Sequence, residues 1–331
     1  MSSLSPREKA GLLRITEGLV IPRVRVPYPH RVNQHLKRIR DESNAWVLSF
    51  GTYRNESERR LFTDMDLPYL SAMCWSHSPA DRFRLITDIN SMMAIRDDEF
   101  DDEKNSAREE LIAAELAFLR QEGRRQETKW TPLWRDIAER LPAHMPPPVV
   151  DRFLWRVDQY LETCLNVAER LRERRDYPMT EYIADRRHTV GCYFVDVLAQ
   201  ADLDLDMSDS LATSDLVQEI EDVNNDCVWL LEDLYSCRKE LASGRRDNIV
   251  SRIAEDTGCS LQEAVDRTAA MLRAGLRRFD QVLSDLEDPD TEDARTVHAY
   301  AHGLRLVIPA CLEYLDQSAR YHPERYLQVD L

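Results

Sequence analysis

The chain has 331 residues, 43% of them hydrophobic and 31% charged, which is ample to bury a large core. A net charge of −16 argues against nucleic acid as a partner. No apolar run approaches the roughly 20 residues needed to cross a bilayer, and Met1 to Arg14 lacks the apolar core of a signal peptide.

Glycine is scarce, strand patterns are hard to find, and the expected fold class is all-α. Residues 1–30 read as irregular, because Pro22 and Pro27 interrupt the apolar alternation around Val20–Val26. A first helix is expected from about Val32 to Phe50, stopped by Gly51. Shorter helices follow over 56–63 and 67–76. Ser78-Pro79 then opens a helix that carries Phe83, Met92 and Met93 toward an acidic stretch. Helices are expected over 106–121, from Thr131 to just before Pro142, and over 149–174, with the Pro-rich segment 142–148 as a connector. The pattern predicts one helix over 180–201 with Gly191 inside it, then an acidic loop over 202–209. A long helix capped by Thr213 or Ser214 should reach Gly244. Helices over 248–256 and 260–286 come next, the second opened by the capping box Ser260–Glu263. The last helix is expected over 292–317 with a kink at Pro309. The seven cysteines are dispersed and none forms a CxxC pair, so they read as reduced core thiols of a cytoplasmic protein.

Two acidic elements stand out. The first is Asp97-Asp98-Glu99-Phe100-Asp101-Asp102, five acids in six residues at the end of an apolar helical run. Asp97 and Asp101 are spaced i, i+4 and share a helix face. Such a pair is either a solvated acidic face or a bridge for hard cations, since Mg2+ takes one or two carboxylates together with substrate phosphates and water. The second is Glu232-Asp233-Leu234-Tyr235-Ser236-Cys237-Arg238-Lys239-Glu240. Here Glu232, Ser236 and Glu240 repeat every four residues, placing two carboxylates and a hydroxyl in one row. Lys239 lies next to Glu240 and could meet a phosphate as a point charge. Two such helices facing one another across a bundle core could hold several cations.

These residues resemble the class I terpene synthases of bacteria and fungi. DDEFDD matches that family's DDxxD motif, and EDLYSCRKE matches its NSE motif at the serine, the lysine and the final glutamate. Asp185-Arg186-Arg187-His188-Thr189-Val190-Gly191 resembles the segment bearing the arginine that senses diphosphate. Arg186 lies 46 residues before Glu232 (232 − 186), about where the family places that arginine, whereas Arg187 has the spacing to Gly191 that suits an effector glycine. Arg320-Tyr321 resembles the family's RY pair. Asn248-Ile249-Val250 is a weaker echo. The resemblance runs from about residue 27 to residue 326. Two departures are visible. Glu232 stands where the family usually has Asn or Asp. Arg96 stands before the acids where an apolar residue is usual, and it reads either as an ion-pair partner of a local acid or as a diphosphate contact.

The resemblance implies a single synthase α domain over 31–331, preceded by the irregular segment 1–30. It implies an apolar cavity inside a helical bundle, three Mg2+ ions and a prenyl diphosphate substrate, with farnesyl diphosphate favoured and geranylgeranyl diphosphate the alternative. Asp97 and Asp101 would ligate metal, as would Glu232, Ser236 and Glu240. Asp98 would pair with Arg320. Arg186 or Arg187, Lys239, Arg320 and Tyr321 would donate to the diphosphate. Candidate wall residues are Trp75, Phe83, Met92, Met93, Phe194 and Tyr314. Ionisation to an allylic cation and cyclisation would give a hydrocarbon or alcohol and release diphosphate. The family also suggests a homodimer. Two other readings compete. An isoprenyl diphosphate synthase would carry a second DDxxD motif, but the later acidic run Asp285–Asp290 is broken by Pro289. A non-catalytic protein retaining the fold is the other, and Glu232 is the residue that favours it. No DxDD motif of a class II cyclase is present.

Overall fold

The computed structural model describes residues 18–29, 31–53, 55–100, 107–121, 127–173, 175, 177–243, 247–286, 290–318 and 321, without the side chains of Asp98, Glu99, Ala242 and Ser243. These residues form helices and connecting turns, with no strand among them. In chain order the helices are α1 (Leu36–Ser49), α2 (Glu56–Met65), α3 (Leu67–Cys74), α4 (Ala80–Phe100), α5 (Arg108–Leu119), α6 (Thr131–His144), α7 (Pro147–Arg172) and α8 (Met179–Thr189). They continue with α9 (Cys192–Asp202), α10 (Asp209–Ala212), α11 (Asp215–Ser243), α12 (Ile249–Thr257), α13 (Leu261–Asp285), α14 (Glu292–Leu304) and α15 (Val307–Gln317).

The 29-residue α11 is the organising helix. It packs against α8, α9, α12, α13, α14 and α15. α4 packs against α1, α3, α5, α6 and α9. Thus α9 touches both helices that carry acids. One apolar core runs through the bundle, with Trp75, Trp130, Trp134 and Trp229 essentially inaccessible. Caps fix several helix starts. Asn55 accepts from the Glu58 N–H, Thr291 accepts from the Ala294 N–H, and Ser260 and Glu263 form the expected reciprocal box.

Backbone chemistry corrects several expected boundaries. α1 begins at Leu36, not Val32. α6 continues through Pro142 to His144, because a proline in the last turn removes only one hydrogen bond. The connector therefore shrinks to Met145-Pro146, and Pro147 opens α7 at a position where no N–H is needed. The expected helix over 180–201 is two helices. Gly191 has φ of 79°, a left-handed conformation that ends α8 and caps α9. The expected helix over 292–317 also divides, at Arg305-Leu306, rather than bending at Pro309. Pro309 has no N–H for the Arg305 carbonyl and its ring crowds that oxygen, so the break falls one turn earlier. The short α10 begins at the last residue of the acidic loop and lies between that loop and α11.

Candidate active site

α4 and α11 place acids in the wall of one cavity of about 190 Å3. Asp97, Glu232 and Glu240 line it together with Arg108, Arg186 and Tyr321. Most of the remaining wall is apolar. Trp75, Met93, Phe194 and Tyr314 lie in it as the sequence suggested, whereas Phe83 and Met92 do not. Phe83 packs with Ile39 and Ala72 in a separate small cluster, and Met92 belongs to the main core.

Asp97 is held from across the cavity. The Tyr160 hydroxyl donates to Asp97 Oδ1 at 3.0 Å. Burial, reinforced by Asp97, pushes the Tyr160 pKa well up, so the phenol stays a donor. Asp101 and Arg320, and the side chain of Asp98, lie outside the described residues.

On α11, Glu232, Ser236 and Glu240 follow one another on successive turns. Arg186 from α8 reaches them. Its Nη2 donates to Glu232 Oε2 at 2.5 Å and to Asp233 Oδ1 at 2.6 Å. Burial works against the Arg186 charge, but Asp233 and Glu232 outweigh it and hold its pKa above the ordinary value. Asp233 is fully buried and also accepts from the Tyr182 hydroxyl at 2.6 Å and the Ile249 N–H at 2.9 Å. Burial pushes its pKa up, and Arg186 opposes that rise.

Asn248 completes the arrangement. Its Nδ2 donates to Glu240 Oε2 at 2.8 Å, to the Asp233 carbonyl at 2.8 Å and weakly to Ser236 Oγ at 3.4 Å. Its Oδ1 accepts from the Val250 N–H at 2.9 Å and so caps α12. One buried amide thus ties a helix start to two of the residues expected to hold metal. Asp233, Tyr160 and Tyr182 received no role from sequence, and Asn248 carried only the weak signal of the Asn248-Ile249-Val250 echo.

The two arginines left open by the sequence part ways here. Arg187 makes a two-pronged pair with Asp226, both contacts at 2.7 Å, lies 3.4 Å from Asp222, and does not line the cavity. Lys239 also lies outside the lining, with its Nζ 5.4 Å from the centroid of the Tyr321 ring. Tyr321 meets Tyr314 edge-on at 6.1 Å. Arg96 is fully buried. Its Nε lies 2.7 Å from Glu115 Oε2, and its guanidinium sits over the rings of Phe100, Trp134 and Tyr160. It is an ion-pair partner, and its acid comes from α5 rather than from the adjacent run.

The donors offered to a metal are hard oxygens: carboxylates of Asp97, Glu232 and Glu240 and the hydroxyl of Ser236. The neighbouring Cys311 thiol is no competitor, since burial pushes its pKa up to about 12. Among the described residues no three His, Cys, Asp or Glu side chains already converge on one point. An all-oxygen set that leaves positions to substrate and water suits Mg2+. The residues present therefore fit such an ion.

Carboxylates from two helices and a partly buried guanidinium in a mostly apolar cavity describe a protein built for a ligand with an anionic head and an apolar body. Residues 88–278, more than half of the chain, match the model of the terpene synthase family 2 C-terminal metal-binding domain. The chain belongs to that family and is a class I terpene synthase, a metal-dependent lyase acting on prenyl diphosphates. Pristinol synthase of Streptomyces pristinaespiralis is 26% identical over 313 residues, covering 90% of this chain and 84% of that one. The 7-epi-alpha-eudesmol synthase of Streptomyces viridochromogenes, described as (2E,6E)-farnesyl diphosphate cyclizing, is 23% identical over 300 residues, covering 88% and 87%. The solved structure of a-eudesmol synthase superposes with a TM-score of 0.79 at 18% identity, covering 90% of this chain and 99% of that one. That likeness shows the all-α fold. Among the described residues no helix is long and apolar enough to cross a membrane.

Proposed function

We propose that the chain ionises farnesyl diphosphate in this cavity and cyclises the resulting cation to a sesquiterpene hydrocarbon or alcohol. The observation that carries the reading is the presence of Asp97, Glu232, Glu240 and Arg186 in one cavity whose remaining wall is mostly apolar. Farnesyl diphosphate is favoured over geranylgeranyl diphosphate because it is the substrate named for a relative that matches most of the chain. Residues 31–331 act as one synthase domain, and the protein works in the cytoplasm, where its seven free thiols stay reduced. A homodimer is the expected assembly.

Three Mg2+ ions, held by Asp97 and Asp101 on one side and by Glu232, Ser236 and Glu240 on the other, would supply positive charge to the departing diphosphate. The chain's own groups do the rest. Tyr160 fixes the Asp97 carboxylate, and Asn248 fixes Glu240. Arg186 exchanges its carboxylate partners for diphosphate oxygens, and Tyr321 and Arg320 donate to the same group. The aromatic wall excludes water, which would quench an allylic cation, and offers π faces to the positive charge. Asp98 pairs with Arg320 as the site closes.

The test is incubation of the purified protein with geranyl, farnesyl and geranylgeranyl diphosphate, with and without Mg2+, and analysis of volatiles by gas chromatography and mass spectrometry. A fifteen-carbon cyclic product formed only from farnesyl diphosphate and only with Mg2+ is expected. A twenty-carbon product would replace the substrate assignment, and a longer prenyl diphosphate formed only with added isopentenyl diphosphate would replace the reaction.

A further inference from the structure

Two imidazoles meet outside the cavity. His298 and His302 are one turn apart on α14 and project from the same face. Their Nε2 atoms are 3.1 Å apart and their ring centroids 4.3 Å apart. Neither lines the substrate cavity, and both are partly exposed. An ion bound at about 2.0–2.1 Å from each of two nitrogens, at an angle between square and tetrahedral, holds those nitrogens about 2.8–3.4 Å apart. The pair therefore already has the bite of a chelate.

We propose that His298 and His302 form a second metal site, a two-imidazole clip for a borderline transition ion such as Zn2+, Ni2+ or Cu2+, separate from the oxygen-lined Mg2+ site. Ligand chemistry keeps the two sites apart. Imidazole selects these ions, and Mg2+ selects carboxylate and water. Burial, followed by Arg305 and His298, holds the His302 imidazole below its ordinary pKa, which leaves it neutral and able to ligate at neutral pH. The Arg305 guanidinium, whose charge acts on His302, lies over the Tyr28 ring, 5.2 Å from its centroid. Solvent completes the coordination sphere. α14 packs against α9, α11, α13 and α15, so an ion bridging one of its turns stabilises an element that the core depends on. The same atoms could instead share one N–H···N hydrogen bond, for which 3.1 Å is also suitable.

The experiment separates these two states. The full-length protein, carrying no histidine tag, is titrated with Ni2+ by calorimetry beside His298→Gln and His302→Gln. Losing one arm of a chelate should weaken Ni2+ binding by about tenfold or more in each variant. Mg2+ should not compete, and farnesyl diphosphate turnover in Mg2+ should be unchanged in both variants. Electron paramagnetic resonance of the parent protein with one equivalent of Cu2+ should show coupling to two imidazole nitrogens, a readout that needs no variant. Equal Ni2+ affinity in parent and variants, or a copper signal without two-nitrogen coupling, would overturn the site and leave a hydrogen-bonded pair.

Discussion

Glu232 stands where Asn or Asp was expected, and the structure shows what its carboxylate does. It gives Arg186 a second carboxylate beside Asp233, so the guanidinium is doubly held before any diphosphate arrives. Glu232→Gln removes the charge but keeps the length. Arg186 retains Asp233, so the fold should survive, with an unchanged circular dichroism spectrum. Turnover should fall by about a hundredfold or more, the usual cost of removing a group that serves the developing charge. Unchanged turnover would take Glu232 out of the metal site. Asn248 tests support from behind. Asn248→Ala deletes the cap of α12 and the donor to Glu240 together. The cap is worth about 1 kcal/mol. Lost orientation of a metal-binding carboxylate typically costs about 10–100-fold in metal affinity. The Mg2+ concentration for half-maximal turnover should therefore rise about tenfold or more, with only a few degrees lost in melting temperature. If melting falls but the Mg2+ requirement stays put, Asn248 is a helix cap and nothing more.

Helix ends, more than helix interiors, decide where the site groups point. Gly191 and Gly258 both adopt positive φ, 79° and 66°, and both follow a helix. Their surroundings differ. A Cβ on Gly258 meets nothing within 4 Å, whereas one on Gly191 lies 2.9 Å from Cε1 and Cζ of Phe194. Phe194 in turn meets Tyr160 edge-on at 5.5 Å, and Tyr160 holds Asp97. Gly258→Ala should therefore cost only left-handed backbone strain, about 1–2 kcal/mol, with normal turnover. Gly191→Ala should cost more than that in stability and also lower turnover, because the displaced ring presses on the tyrosine that orients Asp97. Equal effects of the two substitutions on turnover would break that chain of contacts. The same pair shows what a sequence can and cannot reveal. The helices of α4 and α11 and the i, i+4 rows on them were legible, since periodicity and spacing are local properties. The Ser260–Glu263 box was legible for the same reason. The breaks at Gly191 and Arg305 were not. A glycine inside a helical pattern does not announce its φ, and Pro309 acts on a carbonyl one turn away. Nor was the preference of Arg186 over Arg187 for the cavity legible. Adjacent residues on a helix point about 100° apart, and only tertiary packing says which direction is inward.

At the scale of the whole molecule, a buried polar cluster joins α7, α9, α11 and α14 away from the cavity. Glu221 is well served there. Arg156 Nη2 donates to its Oε2 at 2.5 Å, and the Tyr300 hydroxyl donates to its Oε1 at 2.9 Å. Asp196 is fully buried beside it with much less support. Its Oδ1 accepts from Asn224 Nδ2 at 3.3 Å, the Asn225 amide also bears on the carboxylate, and its Oδ2, the Asn224 Oδ1 and the Asn225 Nδ2 make no hydrogen bond within 3.5 Å. A protonated Asp196 carboxyl would lose its charge and gain a donor, which an amide oxygen of α11 such as Asn224 Oδ1 could accept. Burial, followed by the charge of Glu221, pushes the Asp196 pKa well above the ordinary carboxylate value, in line with that proton. The sign of the pH effect follows. A carboxyl whose pKa is raised on folding contributes its full stability below the unfolded pKa and loses it as pH climbs through the folded one. Asp196→Asn keeps a donor toward Asn224 and removes the titration. Its melting temperature should match the parent's in acid and exceed it increasingly as pH rises above the ordinary carboxylate range. Melting curves that stay parallel across the whole range would mean that Asp196 does not titrate with folding, and that the two orphan oxygens are satisfied by something other than a proton.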